Sequence, residues 1–243
     1  MNFVKDTLPM TDRTVLITGA AGTLGRAAVA AFRAQGTRLV LVDRDVSLLH
    51  AAFPDLANES SCLSIAADVT DRASIQHAVG VAVQDFGRLD ALVHIAGGFT
   101  MGEGVHELTR DTWDGMMNLN AWSFVACAHA IVPHMMAAGH GRIVAISARS
   151  AGRGEARMGA YIAAKSALQR LVETLSAEVR EHGINVNSVA PSIIDTPANR
   201  ADMPDADPTR WVAPDTLAGT LVFLTSEAGA AIHGQHLVVS GLS

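Results

Sequence analysis

A chain of 243 residues, 49% of them apolar, is long enough to bury one sizeable α/β core. Its formal net charge of −6 and the lack of any Lys/Arg-rich run argue against nucleic acid or an anionic membrane as the main partner. Cys62 and Cys127 have no neighbour at redox spacing, and the 10 histidines form no His-x-x-x-His or Cys/His cluster, so a cytoplasmic protein with reduced thiols and no metal is expected.

The first residues, MNFVKDTLPMTDR, contain no apolar core of a signal peptide. Beyond them, short β-rich runs alternate with longer helical periods. Strands are predicted at 14–18, 38–43, 62–68, 89–97, 142–147, 184–191 and 236–240. Helices are predicted near 24–35, 71–86, 109–138, 157–182 and 214–226. Near-continuous apolar strands separated by helices predict a parallel sheet covered on both faces. Right-handed crossovers make it a doubly wound, Rossmann-type α/β fold, here one domain over 1–243. The most apolar stretch, 121–139, carries His129, Pro133 and His134, which suits a helix buried in protein better than one in a bilayer. Residues 192–213 show no clear periodicity. With no second domain to hold a substrate, this segment is the best candidate for a lid.

The first strand runs directly into Gly19-Ala20-Ala21-Gly22-Thr23-Leu24-Gly25 and then into a helix. A glycine turn in that position lets backbone approach a pyrophosphate, and the helix N-terminus faces the negative charge. Glycines alone are weak evidence, and the spacing is not G-x-G-x-x-G; the strand–turn–helix context carries the reading. Asp43 ends the second strand, where a carboxylate accepts ribose hydroxyls and repels a 2′-phosphate, so NAD(H) is favoured over NADP(H). Arg44 pulls the other way, because a guanidinium pairs with phosphate. Asp68 and Val69 close the third strand beside the adenine pocket. Asp68 also reads as a helix N-cap, for which Asp71 is the better candidate. Tyr161 and Lys165, four apart on a helix, share a face. A phenol with a pKa of about 10 is a poor base at neutral pH, and a nearby ammonium favours its ionised form. The plain alternative is a surface polar pair.

Together T-G-A-A-G-T-L-G (18–25), Asp43, Asp68, A-G-G (96–98), N-L-N (118–120), G-R-I-V (141–144), Y-x-x-x-K (161–165) and I-N-V-N-S-V-A-P (184–191) resemble the short-chain dehydrogenase/reductase family. The likeness covers nearly the whole chain. It implies a seven-stranded parallel sheet and hydride transfer between a nicotinamide and a small-molecule carbonyl, alcohol or activated double bond. Tyr161 is then the acid/base, Lys165 also binds the nicotinamide ribose, and Asn120 holds a water in a proton relay. Asn118 competes for that register, but Trp113 stands seven residues before Asn120, as the family pattern has it. Ala96 and Gly97 line the cofactor, and Pro191, Ile194 and Thr196 form the nicotinamide loop. Assembly as a homodimer or homotetramer through the helices at 109–138 and 157–182 is also implied. The chain departs from the pattern at Thr23, with Gly22 one place early, at His94-Ile95 in place of Asn-Asn, and at Ser192 in place of glycine.

The family serine lies 13 residues before the tyrosine, and position 148 is alanine. Counting from G-R-I-V reaches the same residue. Ser147 is a candidate partial substitute, as is Ser150, and Arg149 is able to bind an acidic substrate group. A local likeness to the dihydropteridine reductase branch runs through AFRAQ, AGGF, ISARSA, RMGAY and DTPANRADMPDADPTRW. That branch prefers NADH, has alanine at the serine position and reduces a quinonoid pterin, but lacks the asparagine matching Asn120. The sequence therefore reads first as an NAD(H)-dependent short-chain oxidoreductase of a carbonyl or alcohol. A quinonoid reductase of that branch is the second reading. A non-catalytic redox sensor is the third, and the retained Tyr161, Lys165 and Asn120 speak against it.

Overall fold

The computed structural model describes residues 10–56 and 59–243; residues 1–9, most of the stretch read for a signal peptide, lie outside them. Among the described residues there are seven strands: β1 (Thr14–Thr18), β2 (Arg38–Asp43), β3 (Cys62–Ala66), β4 (Ala91–His94), β5 (Gly141–Ile146), β6 (Ile184–Pro191) and β7 (His236–Val239). All pair in parallel, in the order β3-β2-β1-β4-β5-β6-β7. The helices are α1 (Thr23–Ala34), α2 (Val46–Ala52), α3 (Arg72–Phe86), α4 (Arg110–Met117), α5 (Ser123–Ala138), α6 (Gly159–Val179), α7 (Pro197–Asp202) and α8 (Pro214–Thr225).

The strands alternate across the sheet with a period of two. Leu16, Val40, Val42, Leu92, Ile143 and Ala145 face α3, α5 and α6 in one apolar layer. Val15, Ile17, Leu39, Leu41, Val93 and Val144 face α1, α2 and α8 in the other. Both faces are thus buried, which is why the strands read as continuous apolar runs. In α1 the buried residues Leu24, Gly25, Ala28, Val29 and Phe32 form one stripe against the sheet. Strand order reverses between β1 and β4, leaving a crevice beyond the carboxyl ends of those two strands.

Four elements differ from the sequence reading by more than one residue. β3 stops at Ala66, so Asp68 lies in a turn rather than at a strand end. β4 covers only Ala91–His94. The helix predicted over 109–138 is interrupted by a π-turn at Asn118–Trp122, a one-residue bulge that periodicity does not reveal. The 157–182 helix ends as a 3₁₀ turn at Arg180–His182. The short helix α2 was not anticipated, although Asp45 caps it by accepting from Ser47 N–H at 2.8 Å. Segment 192–213 is less irregular than expected. It holds α7 and a 3₁₀ turn at Pro208–Arg210, and is tied down by Val212 N–H to Ile193 O at 2.9 Å and Asp195 N–H to Val212 O at 2.9 Å. The rod from Arg110 to Ala138 is long and apolar enough to cross a membrane, but half of its apolar window is buried inside the fold.

Candidate active site

The crevice beyond β1 and β4 begins with the glycine turn. Gly19 has φ +67°, and a Cβ there would stand 2.9 Å from Ala96 N. A Cβ on Gly25 would stand 2.2 Å from Gly19 O, so α1 reaches the turn only because Gly25 has no side chain. Gly22 is the N-cap of α1 and no side chain caps the helix, so its first amides face the crevice without a protein acceptor. A pyrophosphate fits such an end. Asp43 stands beside the turn. One carboxylate oxygen accepts from Ala21 N–H at 3.0 Å and the other from Arg44 N–H at 2.9 Å. Arg44 is exposed. The Asp68 carboxylate is turned onto Thr70, accepting from its N–H at 2.8 Å and its hydroxyl at 2.7 Å, and Asp71 caps α3. Val69 is buried.

Two polar side chains of the motif, those of Asn120 and Lys165, meet around Gly97. A Cβ there would stand 2.8 Å from Asn120 Oδ1 and 3.1 Å from Lys165 Nζ. The π-turn buries Asn120 and leaves Asn118 exposed, which resolves the competing registers. Asn120 Oδ1 accepts from Gly98 N–H at 3.0 Å, and its Nδ2 donates to Met116 O at 3.3 Å. Lys165 Nζ donates to Ile146 O at 2.8 Å. Tyr161, in the first turn of α6, lies half-buried with its ring edge-on to Phe99, centroids 4.9 Å apart. Burial pushes the phenol up to about 12 and pulls Lys165 down to about 8. The expected lowering of the phenol by the lysine is not what this arrangement produces. Desolvation dominates, and one of the three N–H donors of the lysine ammonium goes to the Ile146 carbonyl.

Residues 13–207 match the family described as short chain dehydrogenase. The chain belongs to that family. It is accordingly an oxidoreductase that uses a nicotinamide cofactor and a small-molecule substrate. Among relatives of this short-chain dehydrogenase is the (2S)-[(R)-hydroxy(phenyl)methyl]succinyl-CoA dehydrogenase subunit BbsD of Thauera aromatica. It is 33% identical over 240 residues, covering 95% of this chain and 96% of that one. The D-threitol dehydrogenase of Mycolicibacterium smegmatis is 32% identical, covering 94% and 92%. The crystal structure of a 3-ketoacyl-(acyl-carrier-protein) reductase from Brucella melitensis complexed with NADH superposes with a TM-score of 0.85. It is 26% identical and covers 94% of this chain and 97% of that one.

In this dehydrogenase Ala148 is buried two residues beyond the end of β5. Ser147, the candidate substitute for the missing serine, is engaged within the fold. It too is buried, and its hydroxyl donates to Lys165 O at 3.4 Å, toward α6 rather than toward the crevice. Ser147→Ala is therefore expected to change turnover by less than about tenfold, a 1.4 kcal/mol effect; a larger loss with NADH binding intact would return the donor role to Ser147. Arg149 is engaged by the Ser243 carbonyl. In the nicotinamide loop Pro191 is buried, Ile194 is half-buried and Thr196 caps α7 by accepting from Asn199 N–H at 3.1 Å.

One group was not picked out from sequence as more than a departure from the family pattern. His94 is buried at the end of β4, between Thr18 and Ser123. The Ser123 hydroxyl donates to Leu119 O in the π-turn at 2.6 Å, so it must accept from His94 Nε2–H at 3.0 Å. Nδ1 is then an acceptor, taking the Thr18 hydroxyl proton at 2.9 Å, and Thr18 Oγ1 in turn accepts from Ala96 N–H at 3.3 Å. One neutral tautomer satisfies the whole line. Burial, and then the charge on Lys165, hold His94 down to about 3. The line joins the end of β1 to the π-turn that displays Asn120.

Proposed function

We propose that this chain is an NAD(H)-dependent dehydrogenase of a small alcohol or carbonyl, with Tyr161 handling the proton. The observation that carries it is the meeting of Asn120 and Lys165 at Gly97, beside the glycine turn, with Lys165 on the same face of α6 as Tyr161. A bound NAD⁺ would supply the hydride acceptor, so that oxidation of the alcohol to a carbonyl would leave one proton, that of the hydroxyl, for this chain's own residues to take. Tyr161 takes that proton, or returns it in reduction. Lys165 would hold the ribose beside it, and Asn120 would orient a water toward the lysine.

Gly19, Gly22, Thr23, Leu24 and Gly25 would hold the pyrophosphate, Asp43 and Arg44 the adenosine ribose, and Asp68 and Val69 the adenine. Ala96, Gly97, Pro191, Ile194 and Thr196 would hold the nicotinamide half. We read the chain as one domain with 192–213 as its substrate lid, as a cytoplasmic protein on the strength of its two free thiols, and as a homo-oligomer through α4–α5 and α6. The relatives' names span an aryl carbinol thioester and a four-carbon polyol, so they assign no substrate.

The preference for NAD(H) rests on Asp43, whose carboxylate repels a 2′-phosphate. Fluorescence titration should show NADH binding more tightly than NADPH, and Asp43→Ala should narrow the gap. Equal affinities in the unaltered protein would remove the basis for the assignment.

A further inference from the structure

We propose that the substrate is a compact apolar ring or chain with a single reacting hydroxyl or carbonyl, seated on Phe99, Met101 and Val105, and not a polyol; this rests on the dehydrogenase reading above. Among the described residues ten large apolar side chains are exposed, and three of them fall within 99–105: Phe99 at 56%, Met101 at 58% and Val105 at 77%. Scattered exposed apolar residues are ordinary, whereas a cluster beside a catalytic group marks a binding surface. Phe99 lies edge-on to the Tyr161 ring at 79°, so the apolar wall starts beside the ring that carries the reacting hydroxyl.

The segment is held in place and is not a loose loop. Gly102 N–H donates to Arg157 O at 2.9 Å, and Arg157 Nη1 donates back to Gly102 O at 2.9 Å. Arg157 adopts φ +64°, a conformation that a side-chain-bearing residue keeps only where its surroundings impose it. Val105 Cγ2 would lie 3.2 Å from a Cβ on Gly159, so it rests on the first turn of the Tyr161 helix.

The same site is poor in hydrogen-bonding groups for extra hydroxyls. Ala148 has none to offer, and Ser147 faces α6. The Arg157 guanidinium is engaged by Gly102. Glu103 Oε2 has no partner, but it is closed off from solvent and so cannot meet a ligand. A polyol would lose water from hydroxyls that find no replacement, at about tenfold in affinity for each. An apolar body instead gains from leaving water against Phe99 and Met101.

The test titrates cyclohexanol and D-threitol into the enzyme–NAD⁺ complex by calorimetry and follows NADH formation with each. Cyclohexanol is expected to bind at least tenfold more tightly and to show the larger kcat/KM. Phe99→Ala should cut that ratio at least tenfold, and Ala148→Ser should move it toward the polyol. D-Threitol binding as tightly as cyclohexanol would overturn the proposal. So would a ratio unmoved by Phe99→Ala, or a change in molecular mass on that substitution, which would show the patch to be covered by a second copy. Cyclohexanol that binds but is not oxidised supports the apolar seat and sinks the hydride-transfer reading instead. The same titrations on the free protein keep the ring preference readable if NAD⁺ does not bind.

Discussion

Tyr161→Phe is expected to lower turnover by 10²-fold or more while NADH binds as before, the scale on which acid–base groups act. The substitution removes one oxygen and leaves the ring, so the edge-on contact with Phe99 is kept and no cavity opens. What is lost is the only phenol in the chain. Its pKa of about 12 has a direction of consequence. At neutral pH the group holds its proton, which suits donation to a carbonyl as it gains hydride. Oxidation of an alcohol needs the phenolate, so the oxidative rate should climb with pH while the reductive rate stays level through neutrality. Steady-state rates in both directions, paired with NADH fluorescence titration, check both statements. A Phe variant that still turns over would mean that the proton comes from another group or from water.

The second large effect is on acid stability. Folded His94 takes a proton only near pH 3, whereas the unfolded chain takes one near 6.5. Below pH 6.5 the unfolded state therefore binds more protons, and stability falls as pH drops toward 3. At about 1.4 kcal/mol per pKa unit the loss from this one group is several kcal/mol. His140, held down to about 4 by burial and by Arg142, adds a smaller loss of the same sign. His94→Asn, which restores the residue of the family pattern, should flatten the drop between pH 6.5 and 3 without removing the share of His140. Urea midpoints across that range measure it. An unchanged slope would show that His94 is not the group that titrates.

The central fold was readable because both faces of the sheet are buried. Runs such as Val15–Ile17 and Leu39–Val42 are apolar on every residue, and helices with Ala28, Val29 and Phe32 on one stripe leave no other architecture. The glycine turn and the Tyr161/Lys165 pair were readable because local spacing fixes them. Three features were not. The π-turn depends on one residue more than a regular helix accommodates, and the 3.6-residue pattern on either side of it looks continuous. The inward aim of Ser147 depends on where the alternation of β5 ends. The role of His94 depends on Thr18 and Ser123, 76 and 29 residues away in sequence. Local pattern carries no information about such partners.

The π-turn at Asn118–Trp122 also separates two things that one helix would tie together. Each residue of an α-helix turns the chain by about 100°. A single extra residue therefore lets α4 and α5 be phased independently, so that α5 can bury Phe124 and Cys127 in the core while Asn120 still looks toward Gly97. Deleting one residue there would yield a straighter, more regular rod. It would also swing α4 about its axis by roughly a quarter-turn and carry the Met116 carbonyl away from the Asn120 amide. The molecule can in this way gain regularity and lose the approach of Asn120 to Gly97 in one step.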